Sequence, residues 1–363
     1  MNQRVLRFSI WMFLLFSCLE GLADLKWKVA IIFLRTREDK QLYRSIEENI
    51  KELKTLSNKK DSSSVSIRYL VFDYRRSHKK EDAQKMFPIL QSNLREYFNL
   101  KPGAAEPPKT ILILYGHGEG LHGLGPFTLQ QLKSLLPKVD ILWFDSCFMA
   151  NVEALYELRN SYQYALASQD AEISSGIPYE ELNRINLSSS VEATAFSLAE
   201  AFLRSYSKSL SGSQSNKVIS SAITISVIDS QAWDGFKSYF KKDWLEGMLK
   251  HIRFDSRELS HSLNQLTMDD RRFVDLGAVA KNWNLKDLAE ILDITEVRKE
   301  RSKRNDVDLL YFKSKESDNP VKFFGYVKKI KGRTRTYSGL NVYNPFEVTK
   351  YMPYENLELI RSH

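Results

Sequence analysis

From Trp27 onward the apolar residues fall into two alternating patterns. Val29, Ala30, Ile31, Ile32, Phe33 and Leu34 form a short continuous run, as expected of a strand buried on both faces of a sheet. Residues 38–56 then carry Leu42, Ile46, Ile50, Leu53 and Leu56 at helical spacing, which predicts an amphipathic helix. A polar turn over 59–64 leads to an alternating strand over 65–72. Residues 83–98 read as a helix with a kink or a late start at Pro88. After a proline-containing connector, 101–108, come a strand over 110–115, a short helix over 128–136 capped by Thr128, and a buried strand over 139–144. A helix over 149–158, a strand over 164–168, a helix over 192–206, a strand over 218–228 and a helix over 233–252 continue the series.

Strand and helix taking turns in this way predict an α/β fold with a mostly parallel sheet, right-handed crossovers and helices on both faces. Beyond Asp255 the pattern loosens. Residues 272–282 and 285–297 look helical, 298–308 is a charged surface loop, and 309–343 has the aromatic alternation of short strands. The expected division is therefore a leader, 1–23, a core, 24–254, and a C-terminal extension, 255–363, that packs on the core or forms a small subdomain.

Composition adds little to this picture. At 43% hydrophobic and 27% charged the chain can bury an ample core, so extensive disorder is not expected. The formal charge of +8 is spread along the chain without aromatic-and-basic motifs, which reads as a solvated surface and not as a nucleic-acid site. The first residues say more. Arg4 and Arg7 precede the apolar run 8–16, and Ser17, Gly21 and Ala23 follow, the pattern of an export signal. The run is short for a membrane span. Cleavage after Ala23 competes with processing before Cys18, which would leave a lipid anchor on that cysteine; Phe16 fits the second scheme poorly, so ordinary secretion is preferred, and an uncleaved anchor ranks third. With two cysteines in all, Cys147 is the one left in the body of the chain, a free thiol without a disulfide framework around it.

Two reactive side chains fall where open α/β sheets bind ligands, just past the carboxyl ends of strands. His117 follows the strand ending at Tyr115, and Cys147 follows the one ending at Phe144, at an expected helix start. An imidazole or a helix N-terminus lowers a thiol pKa and makes the thiolate a nucleophile. Gly116 and Gly118 flank His117 and allow close backbone approach, so that the amides of Gly118 and Cys147 could bind an oxyanion. Taken singly, a turn at 116–118 and an inert buried thiol are the better readings; taken together at consecutive strand ends, the two residues point to catalysis. His122, in the same loop, is the rival base, while His78 and His251 sit among charges. Ser146 lacks a Gly-x-Ser-x-Gly elbow, which disfavours a serine hydrolase.

Residues 141–153, Ile-Leu-Trp-Phe-Asp-Ser-Cys-Phe-Met-Ala-Asn-Val-Glu, resemble the catalytic-cysteine segment of the clostripain family of cysteine peptidases. The likeness continues through 155–158 and 167–170, and residues 114–118, Leu-Tyr-Gly-His-Gly, resemble the family's histidine segment. It is good over 27–179 and faint at 339–343. The resemblance implies a caspase-like three-layer sandwich, peptide-bond hydrolysis by a Cys147–His117 dyad, and cleavage after Arg or Lys. It implies that Asp145 forms the acidic base of the specificity pocket and that Ser168 also lines the substrate site. The alternative for Asp145 is a cap on the following helix or a hydrogen bond to the turn. For Asp170 and Glu172 a solvated loop is preferred over a second acidic wall. The chain departs from the family pattern after its first strand, where Arg35-Thr36-Arg37-Glu38-Asp39 stands in place of an Asp-Asn pair, putting in doubt any role for that loop. The short His117-to-Cys147 spacing disfavours self-cleavage between them. No acidic cluster has calcium-ligand spacing, so neither metal nor cofactor is expected. Peptides or proteins are the expected partners, with a membrane reached only through a lipid on Cys18. A non-catalytic peptide-binding module and another Cys-dependent acyl transfer are the competing functions.

Overall fold

The structure, a computed structural model, describes residues 26–57, 64–98, 107–172, 176, 177, 179–185, 189–210, 222–233, 273–282, 294–301, 308–314, 321–328 and 340–343. The leader with Cys18 and the helix expected beyond Trp233 lie outside the described residues.

The strands are β1 (Trp27–Thr36), β2 (Val65–Tyr74), β3 (Lys109–Tyr115), β4 (Val139–Asp145), β5 (Tyr162–Ala167), β6 (Ala222–Asp229), β7 (Phe273–Asp275), β8 (Ile294–Arg301), β9 (Asp308–Ser314), β10 (Val321–Lys328) and β11 (Asn341–Tyr343). The helices are α1 (Lys40–Ser57), α2 (Lys79–Phe98), α3 (Leu129–Leu135), α4 (Val152–Glu157), α5 (Val191–Leu210) and α6 (Leu276–Asn282). A nine-stranded sheet runs in the order β2-β1-β3-β4-β5-β6-β10-β9-β8, with β11 and β7 as a separate ribbon. From β2 to β5 all pairings are parallel. From β5 through β6, β10 and β9 to β8 they are antiparallel.

The continuous apolar runs have a simple cause. In β1, Ala30, Ile32 and Leu34 join the core on one face, beside α2, α3 and α4, while Val29, Ile31 and Phe33 join the core on the other, beside α1 and α5. β3 and β4 divide in the same way, Leu112 and Leu142 to one side, Ile113 and Trp143 to the other. With successive side chains pointing to opposite faces, both faces must be apolar when both are covered. Each large aliphatic or aromatic side chain buried like this contributes about 1.5–3 kcal/mol. The result is an α/β sandwich of helices, sheet and helices, of caspase-like architecture.

Three expectations are corrected. The helix placed over 83–98 starts at Lys79 and runs through Pro88. Pro88 cannot bond the carbonyl of Gln84, but both residues are on the exposed face, where that carbonyl meets solvent. Phe273–Asp275, read as helical, is a strand that pairs with Asn341–Tyr343. Residues 294–301, divided between a helix and a charged loop, form β8, which pairs only with β9 at the sheet edge. Its charges explain the misreading: an edge strand gains from Lys, Arg and Glu that discourage pairing with another chain.

Candidate active site

The carboxyl ends of five adjacent strands meet at one edge of the sheet. Arg76 follows β2, Asp39 follows β1, His117 follows β3, Cys147 follows β4, and Asp170 and Glu172 follow β5. Tyr115 pairs with Asp145 in the β3–β4 register, so His117 and Cys147 each stand two residues past the same rung. Their loops touch through Gly118. A Cβ there would lie 2.1 Å from the carbonyl oxygen of Cys147 and 3.0 Å from the Ser146 and Met149 side chains, so only glycine allows this approach.

The turn that carries Cys147 is fixed on several sides. Ser146 Oγ donates to the Leu114 carbonyl at 3.2 Å, Phe148 N to Asp170 O at 3.1 Å, and Ala150 N to Ser168 O at 2.8 Å. Phe148 adopts a φ of 58°, rare for a residue with a side chain, and its ring stacks on Phe273 at 4.8 Å. The chain therefore turns away before it can coil. Helix α4 begins only at Val152, capped by Asn151, whose side chain accepts from Ala154 N at 3.0 Å. The expected helix start at Cys147 is thus corrected, and no helix N-terminus acts on the sulfur.

Around the sulfur the surroundings are acidic, and Cys147 is half-buried. The Glu172 amide donates to Cys147 Sγ at 3.2 Å. Burial, and then the charge of Glu172, push the thiol up to about 12. Asp145 is 3% exposed and does not cap α4; its Oδ2 accepts from Ile177 N at 3.0 Å and the Tyr179 hydroxyl at 3.2 Å. The Glu172 carboxyl is buried beside it, against the Asp145 carboxyl and the Ser146 backbone. Burial raises Asp145 above the usual carboxylate range, and burial together with the Asp145 charge raises Glu172 well above it. Asn49 Nδ2 is also buried and unpartnered; a Cβ on Gly176, φ 71°, would lie 2.8 Å from that nitrogen and 2.9 Å from Asp145 Oδ2. Asp170 is fully buried, so the solvated loop expected at 170–172 is corrected to a wall of the site. Ser168 is fully buried as well; its hydroxyl donates to Asp170 O at 2.9 Å and meets Thr224 Oγ1 at 2.9 Å, which shapes this loop.

His117 sits among paired, half-exposed charges. Its Nε2 is 2.7 Å from Arg76 Nη2 and 3.1 Å from Asp39 Oδ2. Lys79 pairs with Glu119 at 2.8 Å nearby. Burial, and then Arg76, hold the imidazole below its ordinary value, against the opposing pull of Asp39. No hydrogen bond joins His117 to the thiol: the ring is bonded towards β1 and β2, and the sulfur towards β5. His122 belongs to a short 3₁₀ turn in the same loop, and His78 bonds Ser77.

Sequence reasoning missed Asp39, Arg76, Tyr179 and Asn49, and it set aside the loop that carries Asp39. A usable signal existed: Asp39 and Arg76 lie two or three residues beyond the ends of β1 and β2, the positions that an α/β sheet devotes to its site. Among the described residues no group of three metal-ligating side chains occurs, and no helix is long and apolar enough to cross a membrane.

Solved structures share this fold at low sequence identity. One is a secreted C11 cysteine protease from Bacteroides thetaiotaomicron in complex with an irreversible peptide inhibitor, with a TM-score of 0.55, 16% identity, and coverage of 91% of this chain and 95% of that one. Another is an inactive zymogen C11 protease from Parabacteroides distasonis, with a TM-score of 0.56, 17% identity, and coverage of 93% and 97%. No curated protein matches the sequence significantly. The clostripain family model matches residues 89–311, more than half of the chain, from within α2 to within β9, a span that contains His117 and Cys147. The chain belongs to the clostripain family and is a cysteine peptidase.

Proposed function

We propose that this is an exported endopeptidase in which Cys147 is the nucleophile, His117 its acid–base partner, and Arg or Lys the residue preceding the scissile bond. The thiol proton passes to the imidazole as sulfur adds to the substrate carbonyl. The Gly118 and Cys147 amides receive the oxyanion. The imidazolium then protonates the departing amine, leaving a thioester that a water, deprotonated by His117, hydrolyses. Export is supported by the charged-then-apolar leader at 4–23 and agrees with the secreted relative.

One observation carries the specificity. Asp145 and Glu172 are two buried carboxyls in mutual contact beside the sulfur, with no Lys or Arg paired to either among the described residues. Buried charge of one sign is costly until an opposite charge enters, and a guanidinium or ammonium on a substrate side chain is such a charge. The raised thiol favours one rival, a silent peptide-binding module, because the sulfur is held as a neutral thiol and is not bonded to His117. A single assay separates the two: the purified protein against fluorogenic peptides ending in Arg, Lys, Asp or Leu, beside Cys147→Ala. Turnover of the Arg and Lys peptides that disappears in the variant is the expected result. Equal behaviour of the two proteins, or preference for Asp or Leu, overturns the proposal.

A further inference from the structure

One ring nitrogen of His117 faces two partners whose demands are opposite. Arg76 Nη2, at 2.7 Å, is a donor and needs a lone pair on Nε2. Asp39 Oδ2, at 3.1 Å, is an acceptor and needs a proton there. In a neutral imidazole one nitrogen carries the proton and the other the lone pair, so the partner that wins at Nε2 also decides what Nδ1 carries. With Nε2 occupied from the β1 and β2 side, Nδ1 is the nitrogen left for the thiol.

We infer that Asp39 and Arg76 select the tautomer of His117: Asp39 is a positioning residue that holds the productive form, and Arg76 holds the idle one. The inference rests on the Cys147–His117 dyad proposed above. With Nε2–H donated to Asp39, Nδ1 has a lone pair and takes the thiol proton as the S–C bond forms; the resulting imidazolium, stabilised by the Asp39 carboxylate, returns a proton from Nδ1 to the leaving nitrogen. With Arg76 donating to Nε2, the proton resides on Nδ1, and the thiol has no acceptor.

The two partners are built differently. Asp39 is locked: its Oδ1 accepts from Gln41 N at 3.0 Å and Leu42 N at 2.9 Å, capping α1, which aims Oδ2 at the ring. Arg76 is anchored through its backbone, where its N–H donates to Glu38 Oε2 at 2.7 Å. Its side chain is 50% exposed and 3.6 Å from Asp39 Oδ2, so it can leave Nε2 while staying paired with the carboxylate. Lys79 and Glu119 are the other charges near the ring, and they satisfy each other.

Asp39→Asn tests this without removing the cap, because asparagine caps as well as aspartate. The amide nitrogen it introduces places a second donor at Nε2 and locks the idle tautomer. We expect kcat to fall about 100-fold, the scale of a lost acid–base function, with KM and Tm unchanged. Arg76→Met should raise kcat and move the acid limb of the pH–kcat/KM profile upward. Imidazole ¹⁵N shifts, read in a Cys147→Ala background so that no turnover is needed, should show Nδ1–H in the parent and Nε2–H after Arg76→Met. Wild-type kcat in Asp39→Asn, or the same tautomer with and without Arg76, overturns the inference. Activity surviving His117→Ala or Cys147→Ala instead overturns the dyad. Loss of activity in those two variants beside a fully active Asp39→Asn removes only the selector.

Discussion

The two walls of the cleft handle charge in opposite ways. On the histidine side Asp39, Arg76, Lys79 and Glu119 are partly exposed and paired with one another. On the cysteine side Asp145 and Glu172 are buried carboxyls that hold their protons above the usual range, because ionising both would set like charges side by side. Paired, solvated charges cost little and adjust readily, which suits a device that moves a proton. Buried like charges are costly and fixed, which suits a pocket waiting for a cation. The contrast predicts that substitutions on the cysteine side will be large and selective, and those of the solvated Lys79–Glu119 pair on the histidine side small.

The largest effect should follow Asp145→Asn. It removes a buried carboxylate that a basic substrate side chain would pair with, so kcat/KM for the Arg peptide should drop by about 100-fold, or about 3 kcal/mol, with Leu peptides unaffected. Retention of the Arg preference would place the specificity pocket elsewhere. Gly118→Ala comes next, because it strikes the junction of the two walls. A methyl there meets the Cys147 carbonyl at 2.1 Å, a contact that backbone must move to relieve. Overpacking of this kind costs about 1–3 kcal/mol, and thermal unfolding should show the loss together with slower turnover of every peptide.

Legibility in the sequence follows the same divide between covered and exposed. The parallel half was readable because β1, β3 and β4 are buried on both faces, leaving runs that nothing but a core strand explains. The antiparallel half was legible in part: β6, β9 and β10 lie in segments that read as strands, but β8 is a charged edge, and Phe273–Asp275, in the separate ribbon, is too short for any period to show. The site divides likewise. His117 and Cys147 follow strands that pattern alone identifies, and their neighbourhood follows from the β3–β4 register. Asp39 and Arg76 reach His117 only because β1 lies beside β3 and β2 beside β1, an order that local sequence does not encode. The burial of Glu172 was hidden because a carboxylate in a loop reads as solvated until the fold closes over it.

A smaller effect should appear in the dependence of stability on pH. Asp145 and Glu172 are raised above ordinary values of 3.8 and 4.5. Below those values both are protonated whether the chain is folded or not. As pH rises, the unfolded chain releases protons first while the fold retains them, so stability falls as pH climbs through the raised folded values. Glu172→Gln should flatten this decline and stabilise the protein by about 1–2 kcal/mol at neutral pH, measured by denaturant unfolding. A steeper decline in the variant would mean that the pair is already neutralised.

The smallest effect belongs to the histidine wall. Lys79 and Glu119 expose 36% and 34% of their side chains, so solvent and salt screen their 2.8 Å contact. Lys79→Ala should therefore change unfolding free energy by less than about 1 kcal/mol. Its signature lies in the pH profile. Lys79 is a minor contributor to the lowering of His117, behind burial and Arg76. Removing it should move the acid limb of kcat/KM slightly upward, towards the ordinary 6.5, in low salt, and by less in high salt. A neutral imidazole stabilises the fold above that ordinary value, and the contribution is lost as pH falls through it to the lowered one, so stability and activity should weaken over the same acidic range. A large, salt-independent loss on Lys79→Ala would show that this wall is as rigid as the other, and the contrast between them would not hold.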